Sequence, residues 1–238
     1  MKQPVAADDD AFRVLIDLTH AEREAARVAG LLAALRKRHD LARFEYTHLV
    51  QIQPAGATHS HPVLTLGTRF AETEDLLLST YLHEQMHWYL WRLGGPDHDP
   101  IAPFFDELVR RYPQAPTRLP DGARSYEQTY LHLVVCWLEV AAATELIGRQ
   151  RAAEIANAPW GYRWIYRTAI ADWEALGSLF TEHGILPLKT PAEFDAEDRR
   201  KKRAPVSGAA KKTRPAAPKP PSRKARPSAR ARGGRSAG

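Results

Sequence analysis

The stretch TYLHEQMHWYL, residues 80–90, sets His83, Glu84 and His87 into an otherwise apolar run. Histidines four apart on a helix lie one turn from each other on one face, so both imidazoles reach a single cation. Glu84 projects about 100° further round and lies beside such an ion rather than on it. Zinc suits the set. It lowers the pKa of a bound water toward ~7, and an adjacent carboxylate takes the proton as that water attacks a carbonyl. Around this stripe the helix is Leu76, Leu77, Leu78, Tyr81, Leu82, Met86, Trp88, Tyr89, Leu90, Trp91 and Leu93. An unpaired carboxylate inside such a helix is costly, and a cation with its water removes the cost. The competing reading is two core histidines bonded to backbone, with Glu84 reaching solvent.

A catalytic zinc takes three protein ligands and leaves a fourth position to water. Glu139, a lone acid in the apolar run CWLEVAAATELIG, is the expected third ligand, with Glu145 as its partner. His98, in GGPDHDPIAPFFDEL, and His132 are the alternatives. His132 lies two turns before Glu139 on nearly the same face, ~10 Å away along the axis, so the two do not easily share one ion. If Glu139 ligates, His132 serves catalysis by hydrogen-bonding the oxyanion of a tetrahedral intermediate. Tyr162 or Tyr166 could do the same, or simply pack beside Trp164 and Trp173. Cys136 reads as core, and His59 and His61 as turn and strand-boundary residues.

LLLSTYLHEQMHWYL after HPVLTLGTRF resembles the strand and active helix of zincin metallopeptidases. The resemblance covers about residues 43–150. It implies His83 and His87 as zinc ligands, Glu84 as general base, and a sheet edge on which an extended peptide lies. W-L-E-x-x-A-x-x-E resembles the third-ligand helix of gluzincins, where such a glutamate binds zinc. H-E-x-x-H followed by His98-Asp99 and Phe104-Phe105 more weakly resembles SprT-type proteases, whose third ligand is a loop histidine. A metzincin pattern is excluded, because Leu90 and Leu93 stand where it needs glycine and histidine.

The elements that must position these residues are legible in the periodicity. FRVLIDL (12–18), RFEYTHLVQIQ (43–53) and HPVLTLGTRF (61–70) read as strands. Thr19 to Glu22 forms a capping box for a helix to about residue 38, carried by Ala25, Val28, Leu32 and Leu35. Further helices are expected over 74–93, 104–112, 125–148 and 160–183, with stops at Gly94-Gly95-Pro96, Gly148 and Gly184. A small early sheet of about three strands followed by helices is an α+β, zincin-like fold.

The net charge of +6 conceals a division. Residues 199–238 carry 15 Lys/Arg and no acid, which leaves 19 basic against 28 acidic residues before them. That Pro/Ala/Lys/Arg-rich segment cannot bury enough apolar surface to order itself. The folded domain is therefore expected over 11–190, with residues 1–10 and 191–238 disordered. The tail suits weak, salt-sensitive, sequence-independent contact with nucleic acid, or simply solvation. The single cysteine excludes an internal disulfide. With no apolar leader and no uninterrupted apolar run of membrane length, the expectation is a cytoplasmic protein with no membrane partner. Two functions compete: a zinc peptidase acting on peptide or protein, and a nucleic-acid-associated protein whose metal site is structural.

Overall fold

The computed structural model describes residues 12–16, 22–54, 56–69, 71–95, 101–158 and 161–203. The chain divides into residues 1–202 and 203–238, and everything beyond Arg203 lies outside the described residues. So do His98, the Thr19 cap and residues 1–10, with the expectations that concern them.

Among the described residues the fold is α+β: a small parallel sheet at the N-terminal end and a helical remainder. Strands β1 (Arg13–Ile16), β2 (Leu49–Ile52) and β3 (Leu64–Leu66) pair in that order, all parallel. Helix α1 (Glu22–Arg38) makes the crossover from β1 to β2 and buries Ala25, Val28, Leu32 and Leu35. Val50 and Ile52 of β2 are fully buried, as the period of two requires. Strands β2 and β3 are shorter than the sequence pattern. In RFEYTHLVQIQ the chain first makes a 3-10 turn at Leu41–Phe44, and pairing starts only at Leu49.

The outer edge of β3 is covered by its own chain. His59 and Thr65 exchange backbone hydrogen bonds of 3.0 and 2.8 Å, and Gly67 N–H donates to Thr58 Oγ1 at 2.9 Å. The open edge implied by the zincin resemblance is therefore not offered by β3 at Thr65. The antiparallel segment around His59 lies outside it.

Helix α2 (Glu74–Gly94) starts where the Thr73 hydroxyl accepts from Leu76 N–H. Glu74 and Asp75 complement the positive end of its dipole, and Gly95 at φ 74° closes it. Helix α4 (Tyr126–Ile147) is capped by Ser125 on Gln128 N–H and ends at Gly148, φ 82°. By length and composition alone α4 could cross a membrane. Here it packs against α2, α5 (Arg149–Ala156) and α6 (Arg163–Ala171), with Leu133 to Cys136 and Leu138 fully buried. Helix α3 (Ala102–Arg111) covers the same core with Phe104 and Leu108.

Two boundaries differ from the sequence pattern. The helix expected over 160–183 is two helices, α6 and α7 (Trp173–Glu182), broken at Asp172. Asp172 accepts from the Tyr112 hydroxyl at 2.7 Å, and the break carries Trp173 onto Trp137, ring centroids 4.2 Å apart. Residues 191–203 are not a disordered tail but helix α8 (Pro191–Arg203). Phe194 is buried against Tyr46 and Tyr89, and Arg92 pairs with Asp195 at 2.5 Å. One aromatic among many charges was enough to dock that turn.

Candidate metal centre

Helix α2 presents His83, Glu84 and His87 toward α4, and a buried polar network behind it fixes that rotation. Gln85 projects to the opposite face and is fully buried. Its Oε1 accepts from Tyr46 N–H (2.8 Å) and Thr47 N–H (3.1 Å). Its amide donates to Thr47 carbonyl (3.0 Å) and Tyr81 hydroxyl (3.1 Å). Tyr81 in turn donates to Glu45 at 2.9 Å, and Arg36 holds both Glu45 oxygens, at 2.7 and 3.0 Å. Every polar atom of the Gln85 amide is satisfied, so α2 cannot roll without leaving buried groups unpaired.

On the opposite face from Gln85 three imidazoles converge. One ring nitrogen from each of His83, His87 and His132 lies within 4.8 Å of the others. Ring centroids are 5.2 Å apart for His83 and His87, 5.5 Å for His83 and His132, and 5.2 Å for His87 and His132. The outer nitrogens set the tautomers. Nδ1 of His132 lies 2.7 Å from the Gln128 carbonyl, which can only accept, so Nδ1 carries the proton and Nε2 is bare. Nδ1 of His83 lies 2.9 Å from Glu139 Oε2, and a carboxylate leaves it the same donor role.

Glu139 is 1% exposed. Its carboxylate also accepts from Tyr166 hydroxyl at 2.7 Å and from the Ser79 hydroxyl. Cys136 Sγ stands 3.9 Å from His83 Nδ1. The donors thus fall into two groups that share His83: His83, His87 and His132 on one side, His83, Cys136 and Glu139 on the other. Glu139, the ligand expected from the sequence, is not grouped with His87. His132 and Glu139, two turns apart on α4, meet His83 differently: Glu139 at Nδ1, and the His132 ring stacked at 5.5 Å. Glu145 pairs with Arg43 at 2.8 Å instead of joining Glu139.

Electrostatics follow the burial. Burial, and then the neighbouring His83, push His132 down to about 4, so it stays neutral. Burial opposes a charge on His83, but Cys136 and Glu139 outweigh it, and its pKa is raised. Burial pushes the Glu84 carboxyl up to about 7. Tyr162, the first residue before α6, reaches His132 Nε2 with its hydroxyl at 3.2 Å. It is the one non-glycine with positive φ (60°) among the described residues, a conformation that costs energy unless its surroundings impose it. Its ring lies 4.6 Å from that of His132 and 6.2 Å from that of His83.

His59 is exposed, and close enough to Glu84 to favour its charged form. His61 stacks on Trp88 at 4.2 Å. Ser79 and Gln85 were not singled out by the sequence. Their signal was only a polar residue on each flank of an apolar helix. No protein-family model, curated protein or solved structure matches the chain.

Proposed function

We propose that the chain is a zinc-dependent peptidase of zincin type, with His83, His87 and His132 as the metal ligands. The observation that carries this reading is three imidazoles, one ring nitrogen of each within 4.8 Å of the others, beside a buried carboxylate, Glu84. Three histidine nitrogens are a donor set that zinc accepts, leaving a fourth position for solvent or substrate. Zinc bound there would supply Lewis-acid polarisation of a water and of the scissile carbonyl.

The chain's own residues do the rest. Glu84 accepts the proton of the attacking water and passes it to the leaving amine. Burial raises the proton affinity of this carboxyl in the metal-free protein, and a nearby divalent cation would lower it again, favouring the carboxylate that takes the proton. Glu139 orients His83 through Nδ1 and raises the basicity of Nε2, while Ser79 and Tyr166 hold the carboxylate in place. His132, first expected to steady the oxyanion, has its bare nitrogen in the imidazole cluster. Tyr162 brings an O–H to the same place and takes the oxyanion role.

The basic segment 199–238 supports a second reading, a nucleic-acid-associated protein with a structural metal. A structural zinc is closed by four protein ligands, and the three-histidine group favours the catalytic reading. The test is Glu84→Gln in the zinc-loaded full chain with a mixed peptide substrate. Retained zinc with hydrolysis lost supports the peptidase, and hydrolysis equal to the parent refutes it.

A further inference from the structure

The Glu84 side of α2 does not end at the metal centre. One turn beyond Glu84 comes Trp88, and almost one turn further Trp91, at about 6 and 10 Å along the axis from the rise of a helix. Trp91 is 41% exposed, among the few large apolar residues so placed. Trp88 and Trp91 meet edge to face, centroids 5.6 Å apart. His61 stacks on Trp88 and lies 6.4 Å from Trp91. The ledge is rigid, because Trp88 Nε1 donates to Ser60 carbonyl at 2.8 Å. That bond ties α2 to the antiparallel segment which covers β3 through His59.

We infer that His61, Trp88 and Trp91 form a side-chain subsite that selects substrates with a large apolar or aromatic residue close to the scissile bond. This rests on the peptidase reading, and it names the substrate class. Successive residues of an extended peptide are about 3.3 Å apart. A substrate whose carbonyl sits beside Glu84 therefore places a side chain two or three residues away over the tryptophans. Exposed indole that stays unburied in the free protein gains most from an apolar partner, and an aromatic one adds edge-to-face contact. An acidic side chain at that place would lose water against the two indoles.

The experiment uses the full zinc-loaded chain and a peptide series with Phe, Leu, Lys or Asp at each position in turn. At one position, kcat/KM for Phe and Leu should exceed that for Asp by about tenfold or more. Trp91→Ala should collapse that ratio toward one, and Trp91→Phe should restore most of it. Equilibrium binding of the same peptides to the Glu84→Gln protein reads the subsite without turnover. Binding selectivity for Phe that disappears in Trp91→Ala establishes the ledge even if no peptide is cleaved, in which case only the peptidase reading fails. Cleavage or binding with a Phe to Asp ratio unmoved by Trp91→Ala overturns the ledge and leaves the peptidase reading standing. A preference for Lys lost in the same variant also overturns it, by showing that the indoles take a cation.

Discussion

The Tyr162 hydroxyl lies 3.2 Å from Nε2 of His132, the nitrogen that the Gln128 carbonyl leaves without a proton. The backbone that delivers it is left-handed, φ 60°, at the start of α6. A strained residue aimed at a cluster of imidazoles is a sign of function more than of packing. Tyr162→Phe should therefore keep its zinc and lose about 10²–10³ in kcat with little change in KM, as loss of one oxyanion donor does. Single-turnover and steady-state kinetics separate the two. Equal loss in KM would make Tyr162 a binding group instead.

Glu139 touches His83 at Nδ1, and under the proposed zinc site it would act on the metal through that ring. Glu139→Gln should weaken zinc by about 10–100-fold, because the hydrogen bond that fixes the His83 tautomer is weakened while all three ligands remain. Ser79→Ala and Tyr166→Phe should each do the same to a smaller degree. Competition against a chromophoric chelator measures all three.

In the chelated protein Glu84 should impose a pH-dependent penalty. Its folded pKa of about 7 is above the unfolded value, so the folded state holds the proton more tightly. Stability from this group is then full below about pH 4.5, falls as pH rises, and is lost above about 7, by up to about 3 kcal/mol. Glu84→Gln removes the penalty. The chelated variant should be more stable than the chelated parent at pH 8 and about equal to it at pH 4, by urea denaturation.

Gln85 stands behind the site without touching it. Gln85→Leu fills similar space but strips partners from Tyr46 N–H, Thr47 N–H and the Thr47 carbonyl. Buried groups left unpaired should cost about 2–5 kcal/mol in denaturant midpoint experiments. Zinc affinity should fall as well, since α2 is then free to roll. Unchanged affinity would detach this network from the site.

The H-E-x-x-H stripe, the caps at Ser125 and Gly148, and the β1–α1–β2 order were legible because each is local: a helical period, a hydroxyl three residues from an amide, a glycine at a stop. The choice among His132, Glu139 and His98 was not local. It depends on which turn of α4 lies against His83 and His87 together, and a spacing of seven residues leaves both acceptable. Parallel pairing of β2 with β3 was equally hidden, since the eleven residues between them could as well have made a hairpin. The break at Asp172 is imposed by two distant partners, Tyr112 and Trp137, and leaves no proline or glycine in the sequence to announce it. Helix α8 escaped because the charges around Phe194 read as tail.

X-ray absorption at the zinc edge of the loaded full chain reads the identity of the ligands directly. Three imidazole nitrogens at about 2.0–2.1 Å with one further light atom are predicted, and His132→Ala should remove one imidazole. A sulfur at about 2.3 Å would place the ion on Cys136 beside His83, and a coordination shell unchanged in His132→Ala would remove His132 from it; either result contradicts the site.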